Sequence, residues 1–84
     1  MGYTTRSRSL IRLNRYEIGW VFYKMRLKGV RQLDIARISG LANSTVCEVL
    51  NGKKSSLRVY GALCYLLGYS NIAALLSEAR KSAV

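Results

Sequence analysis

The chain has no histidine and no proline, and its 84 residues include only four carboxylates and two cysteines. Each shortage closes off a class of function. Without histidine, the side chain best suited to proton transfer near neutrality is missing, and two thiols alone cannot complete a tetrahedral zinc site. The acids are Glu17, Asp34, Glu48 and Glu78, and no nucleophile has an evident base. No enzyme activity, metal or cofactor is therefore expected. The absence of proline, with glycine scattered rather than clustered, favours a compact helical chain over a disordered one. No apolar run approaches the length of about 18 residues that a membrane span needs. The opening MGYTTRSRS lacks the apolar core of a signal peptide, and Arg6 stands where a myristoylation signal after Gly2 needs Ser or Thr. Free thiols at Cys47 and Cys64 fit a reducing compartment, so the expected location is the cytoplasm.

Positive charge is abundant. Fourteen Lys and Arg against four acids give a net charge of +10, a balance that points to anionic polymers as partners. Half of the residues are hydrophobic, enough for one small domain burying about 60–65% of its unfolded surface. A membrane-surface role would need a helix with a basic face and an apolar face left open to lipid. Here the apolar faces are needed for the core, and the cations are spread over several segments.

The pattern predicts five helices and no sheet. Residues 1–13 form a polar, basic lead with Arg6, Arg8 and Arg12, read either as a solvated tail or as an arm that enters a minor groove; residues 14–84 are the folded domain. Asn14 and Glu17 have capping-box spacing. The first helix then carries Ile18, Val21, Phe22 and Met25 as its inner stripe and ends at Gly29. Trp20 and Tyr23 fall off that stripe, where they flank the core or a subunit contact, or stack on bases. A second helix runs from Gln32 to Gly40, with Ile35 and Ala36 inward. A third runs from Asn43 to Leu50, and Asn51-Gly52 stops it. Lys53, Lys54, Ser55 and Ser56 make a polar loop whose last serine can cap a fourth helix over Leu57–Leu67, with Leu57, Tyr60, Leu63, Cys64 and Leu67 expected inward. A fifth helix starts near Ser70 or Asn71 and gathers Ile72, Leu75, Leu76 and Ala79 on one face. Cys64 reads as a small core residue. Cys47 reads as an outward thiol, for which redox sensing is conceivable.

The organising stretch is Gln32–Gly52, QLDIARISGLANSTVCEVLNG. Val46, Val49 and Leu50 put an apolar stripe on one side of the third helix. The other side holds Asn43, Ser44, Cys47, Glu48 and Asn51, all small or hydrogen-bonding. A helix this short is not stable alone and must dock on the rest of the chain, which leaves its polar side on display. In so basic a protein, the DNA major groove is the natural target.

The offsets of Gln32, Ala36, Gly40, Leu41, Val46 and Val49, followed by Asn51-Gly52-Lys53, resemble those of the phage-repressor (Cro-type) helix-turn-helix family, over about residues 18–76. The resemblance implies an all-α, five-helix, lambda-repressor-like DNA-binding domain, with the helix-turn-helix at helices 2–3 and the third helix in the major groove. By position, Ala42, Asn43, Ser44, Cys47, Glu48 and Asn51 would face bases. Asn43 can pair with adenine, Glu48 can accept from cytosine and Ala42 can touch a thymine methyl. The open alternatives are helix capping for Asn43 and an ion pair with a nearby cation for Glu48. Phosphate contacts would fall to Arg31, Gln32, Lys53, Lys54, Ser56 and Arg58; for the two lysines the alternative is a solvated loop.

Two positions depart from the family pattern. Arg31 and Ala42 stand where small polar caps are usual, leaving both helix starts short of side-chain acceptors; a bound phosphate would then satisfy the start of the second helix. The expected function is a small regulator of transcription, repressor-like and of phage or bacterial type, binding double-stranded DNA as a homodimer, hence nucleoid-associated, with no small-molecule ligand. Ile72, Leu76 and Ala83, with Tyr65 and Tyr69, are candidates for the dimer surface or for completing the monomer core. The alternative is an antitoxin or adaptor that uses the same fold chiefly to bind protein.

Overall fold

The computed structural model describes residues 12–83, with side chains through Lys81. Arg6 and Arg8 lie outside the described residues, as does the side chain of Ala83. Five helices follow one another: α1 Arg15–Lys28, α2 Gln32–Ser39, α3 Asn43–Leu50, α4 Leu57–Leu67 and α5 Ile72–Ala83. No strand occurs among the described residues.

Local chemistry sets the boundaries. Asn14 Oδ1 accepts the Glu17 N–H at 2.8 Å, and the Glu17 carboxylate accepts the Asn14 N–H at 2.9 Å, a complete capping box. Ser56 Oγ accepts the Val59 N–H at 3.3 Å and starts α4. Gly40, at φ 73°, ends α2 in the left-handed region and donates its N–H to the Ala36 carbonyl. Gly52 is more constrained still. At φ 76°, a Cβ on it would lie 2.5 Å from the carbonyl oxygen of Leu13 and 3.0 Å from Ile18 Cδ1, so only glycine fits both the backbone and the space.

α4 is the hub. It packs on α2 and also on α1 and α5, while α3 is held chiefly by α2. Every helix contributes at least one side chain without solvent exposure: Val21, Ile35, Val46, Val49, Leu50, Val59, Leu63 and Leu75. Each such burial is worth about 1.5–3 kcal/mol. The ends of the fold are also joined, because the Tyr16 hydroxyl donates to the Ala79 carbonyl at 3.0 Å.

Two expectations change, and one open alternative narrows. Leu13, read as part of the basic arm, is buried in the core, so the domain begins one residue earlier than the capping box suggested. Leu57, expected inward, is 56% exposed. It sits in the first turn of α4 at the rim of the inner face, and Val59, Tyr60 and Ala62 fill the core in its place. Tyr69, Ile72 and Leu76 pack partly against the monomer core, whereas Tyr65 stands 73% exposed.

Candidate nucleic-acid interface

The turn between α2 and α3 is short and internally bonded. Buried Ser39 donates its hydroxyl to the Ala36 carbonyl and accepts the Leu41 N–H, both at 3.3 Å. Ser39 escaped the sequence reading, and its only signal there was a small polar residue just before Gly40. With Val46, Val49 and Leu50 fully buried, α3 turns Ala42, Asn43, Ser44 and Asn51 to solvent, with Cys47 and Glu48 half-exposed beside them.

Several of these side chains are already tied to one another. Gln32 Nε2 donates to Asn43 Oδ1 at 3.1 Å and to the Asn43 carbonyl at 3.3 Å. Asn43 is thus held by the first residue of α2. The alternative role weighed for it, helix capping, is not what the structure shows, since Ala42 is the cap position and α3 has no side-chain cap. The Asn43 amide nitrogen remains available as a donor, and its oxygen keeps a second lone pair, the pair of functions that adenine requires. Asn51 turns back on its own helix, donating Nδ2 to the Cys47 carbonyl at 2.8 Å and to Cys47 Sγ at 3.4 Å. Its donor is therefore engaged, and its carbonyl oxygen is the part left to contact a ligand.

Glu48 and Lys54 are paired, with Oε1 and Nζ 3.0 Å apart. Both side chains are about half exposed, so the pair is worth about 0–1 kcal/mol and is easily exchanged for a phosphate. Among the described residues, Lys53 and Arg58 make no ion pair and both are exposed. Ser56 spends its hydroxyl on capping α4, which leaves it only a hydroxyl hydrogen to offer a phosphate.

At the start of α2 the Asp34 carboxylate accepts the Arg31 N–H at 2.9 Å and lies 3.5 Å from the Arg31 guanidinium. The backbone hydrogen bond, then the guanidinium, holds the Asp34 carboxyl below its ordinary value. The Asp34 and Ile35 N–H groups donate to the Arg31 carbonyl. Asp34 therefore needs no external anion, and the expected shortage narrows to the first two amides, those of Gln32 and Leu33.

Of the sequence-predicted residues, the fold gathers Asn43, Gln32, Ser44, Cys47, Glu48, Asn51 and Lys54 on or beside one exposed surface. Arg12 is exposed at the start of the described chain. No cluster of metal-ligating side chains exists among the described residues, and no single described helix is long and apolar enough to cross a membrane. The chain matches no protein-family model, no curated protein and no solved structure.

Proposed function

We propose that this protein is a small sequence-specific regulator that binds double-stranded DNA through a Cro-type helix-turn-helix formed by α2 and α3. One observation carries the reading: α3 buries one side completely and displays a hydrogen-bonding side, with Lys54 reaching back to Glu48 on it and exposed Lys53 next to it in the following turn. In that arrangement α3 enters the major groove with Asn43 leading, held in place by Gln32. Lys53 and Lys54, presented by the Gly52 turn, meet phosphates at the groove edge. A chain this size reads a useful length of DNA as a symmetric pair on half-sites about one helical turn apart. Exposed Leu57 and Tyr65, flanking Gly61 on α4 beside Tyr69 and Ile72, are the proposed pairing surface.

The test is selection of bound duplexes from a random pool, followed by gel shifts across a salt series. An enriched motif with two-fold symmetry is expected, and affinity for it should fall by roughly tenfold to a hundredfold over a fourfold rise in salt if two to four phosphates are contacted. A pool that yields no motif, with binding insensitive to salt, refutes the proposal and favours the protein-binding adaptor.

A further inference from the structure

The first helix carries a second face that the fold covers only in part: the Tyr16 hydroxyl is tied to Ala79 and one edge of Trp20 packs on the core, while the rest stands open. Opposite its core stripe, Tyr16, Gly19, Trp20 and Tyr23 fall at i, i+3, i+4 and i+7, and with Arg15 they line an open groove of about 580 Å³. Tyr16 and Tyr23 are about half exposed. The Trp20 and Tyr23 rings lie 5.7 Å apart, tilted by 42°. The Trp20 indole N–H is enclosed and has no acceptor among the described residues, so Trp20 offers the groove a carbon surface and no donor.

Gly19 sits mid-helix in this face. A Cβ placed on it would meet nothing within 4 Å, so packing within the chain does not demand glycine there. A solvent-facing glycine inside a helix weakens it relative to alanine; what it provides is room for another backbone to come close.

Charge selects the visitor. α1 carries Arg15, Lys24, Arg26 and Lys28 against Glu17 alone, and the Glu17 carboxylate is committed to the Asn14 N–H. Lys24 reaches the far side, where its ammonium lies over the Trp20 and Tyr69 rings and 4.0 Å from Glu78. Arg15 and Arg26 are eleven residues apart, which on a helix is three turns along one edge of the groove. A second copy of this face would bring like charge against like. A single nucleic-acid strand needs free cations along its backbone, and Lys24, the cation on the far side, is already committed to Glu78.

We propose that the α1 groove docks an amphipathic helix of another protein, apolar on the contacting face and acidic along its edges. In helix-in-groove recognition the incoming helix presents apolar anchors at i, i+3, i+4 and i+7, a stripe that matches the spacing of the α1 face it would lie against. The site involves none of the residues assigned to DNA, so it stands or falls separately from that reading.

Trp20 is the only tryptophan in the chain and reports on the groove directly. The full chain is titrated with two Ala-based helical peptides of about 18 residues, each with Leu at i, i+3, i+4 and i+7, one edged with Glu and the other with Lys. A saturable blue shift of Trp20 emission is expected with the Glu peptide, at an affinity at least tenfold above that of the Lys peptide. Gly19→Leu, a good helix former placed in open space, should lower Glu-peptide affinity at least tenfold while duplex binding stays within twofold. Arg15→Glu leaves the groove's shape and should erase the preference between the peptides. An unmoved Trp20 signal overturns the proposal and, if the emission is already blue, points to the chain's own residues 1–11 as occupant. So does an equal response to both peptides, a stronger response to oligo-dT, or a dimer in sedimentation that Gly19→Leu dissociates.

Discussion

Replacing Gly52 with alanine separates two costs that glycine turns usually conflate. Gly40 and Gly52 share nearly the same positive φ, 73° and 76°. Alanine at either position meets the left-handed penalty of about 1–2 kcal/mol, and at either it gains the same small entropic return from a stiffer unfolded chain. They differ in surroundings. Nothing lies within 4 Å of a Cβ on Gly40, whereas one on Gly52 would press to 2.5 Å from the Leu13 carbonyl oxygen, a backbone atom that cannot swing aside. Relieving that contact should cost a further 1–3 kcal/mol or so, the usual range for overpacking. In a domain of this size each kcal/mol is about 4–8 °C in Tm. Gly52→Ala should therefore melt at least about 4 °C below Gly40→Ala, by circular dichroism at 222 nm. Because Gly52 places Lys53 and Lys54, the variant should also lose affinity for duplex DNA when assayed well below its melting point. Equal melting of the two alanine variants would show that the approach of Leu13 to the turn is not a real constraint, and would undercut the placement of the lysine loop with it.

Three further outcomes follow from contacts at the proposed interface and in the core. Glu48→Gln releases Lys54, so affinity for random duplex should rise several-fold and the salt slope should steepen by about 1; an unchanged slope would mean that Lys54 meets no phosphate. Gln32→Ala and Asn43→Ala should be non-additive in operator affinity, with a coupling of about 0.5–3 kcal/mol, because the amide of one orients the other; strict additivity rejects that role. A thiol reagent should label Cys47 in the folded protein and reach Cys64 only on unfolding, since burial pushes the Cys64 thiol from 9.0 up to about 11. The folded state thus holds that proton more tightly, so Cys64 stabilises fully below pH 9 and its contribution is lost as pH rises towards about 11. Urea midpoints that do not decline more steeply over this range than those of Cys64→Ala contradict the assignment.

Helix boundaries were legible in the sequence because the signals are local. Asn14 with Glu17, Gly29, Gly40 and Ser56 each act within a turn of their own position, and the helices begin and end where those residues say. The inner faces of α2 and α3 were also readable, since a short helix has few ways to place Ile35, Ala36, Val46, Val49 and Leu50. α4 was harder. It is hydrophobic nearly all round, so periodicity alone did not distinguish Leu57, which faces water, from Val59, which does not. Contacts across the chain were invisible: nothing local says that Gln32 grips Asn43, that Leu13 covers Gly52, or that Ser39 locks the turn. Glu48 shows the same limit, because its pairing with Lys54 depends on the path of the intervening turn.

The reach of Tyr16 to Ala79 spans 63 positions, and it bears on how the molecule comes into being. The first helix finds most of its packing on α4 and α5, so a chain leaving the ribosome from its amino end carries that helix largely unsheltered until both have emerged. A chain stopped before Leu75 would lack both that buried side chain and the carbonyl that Tyr16 grips, and is expected to leave the first helix waiting for its mate.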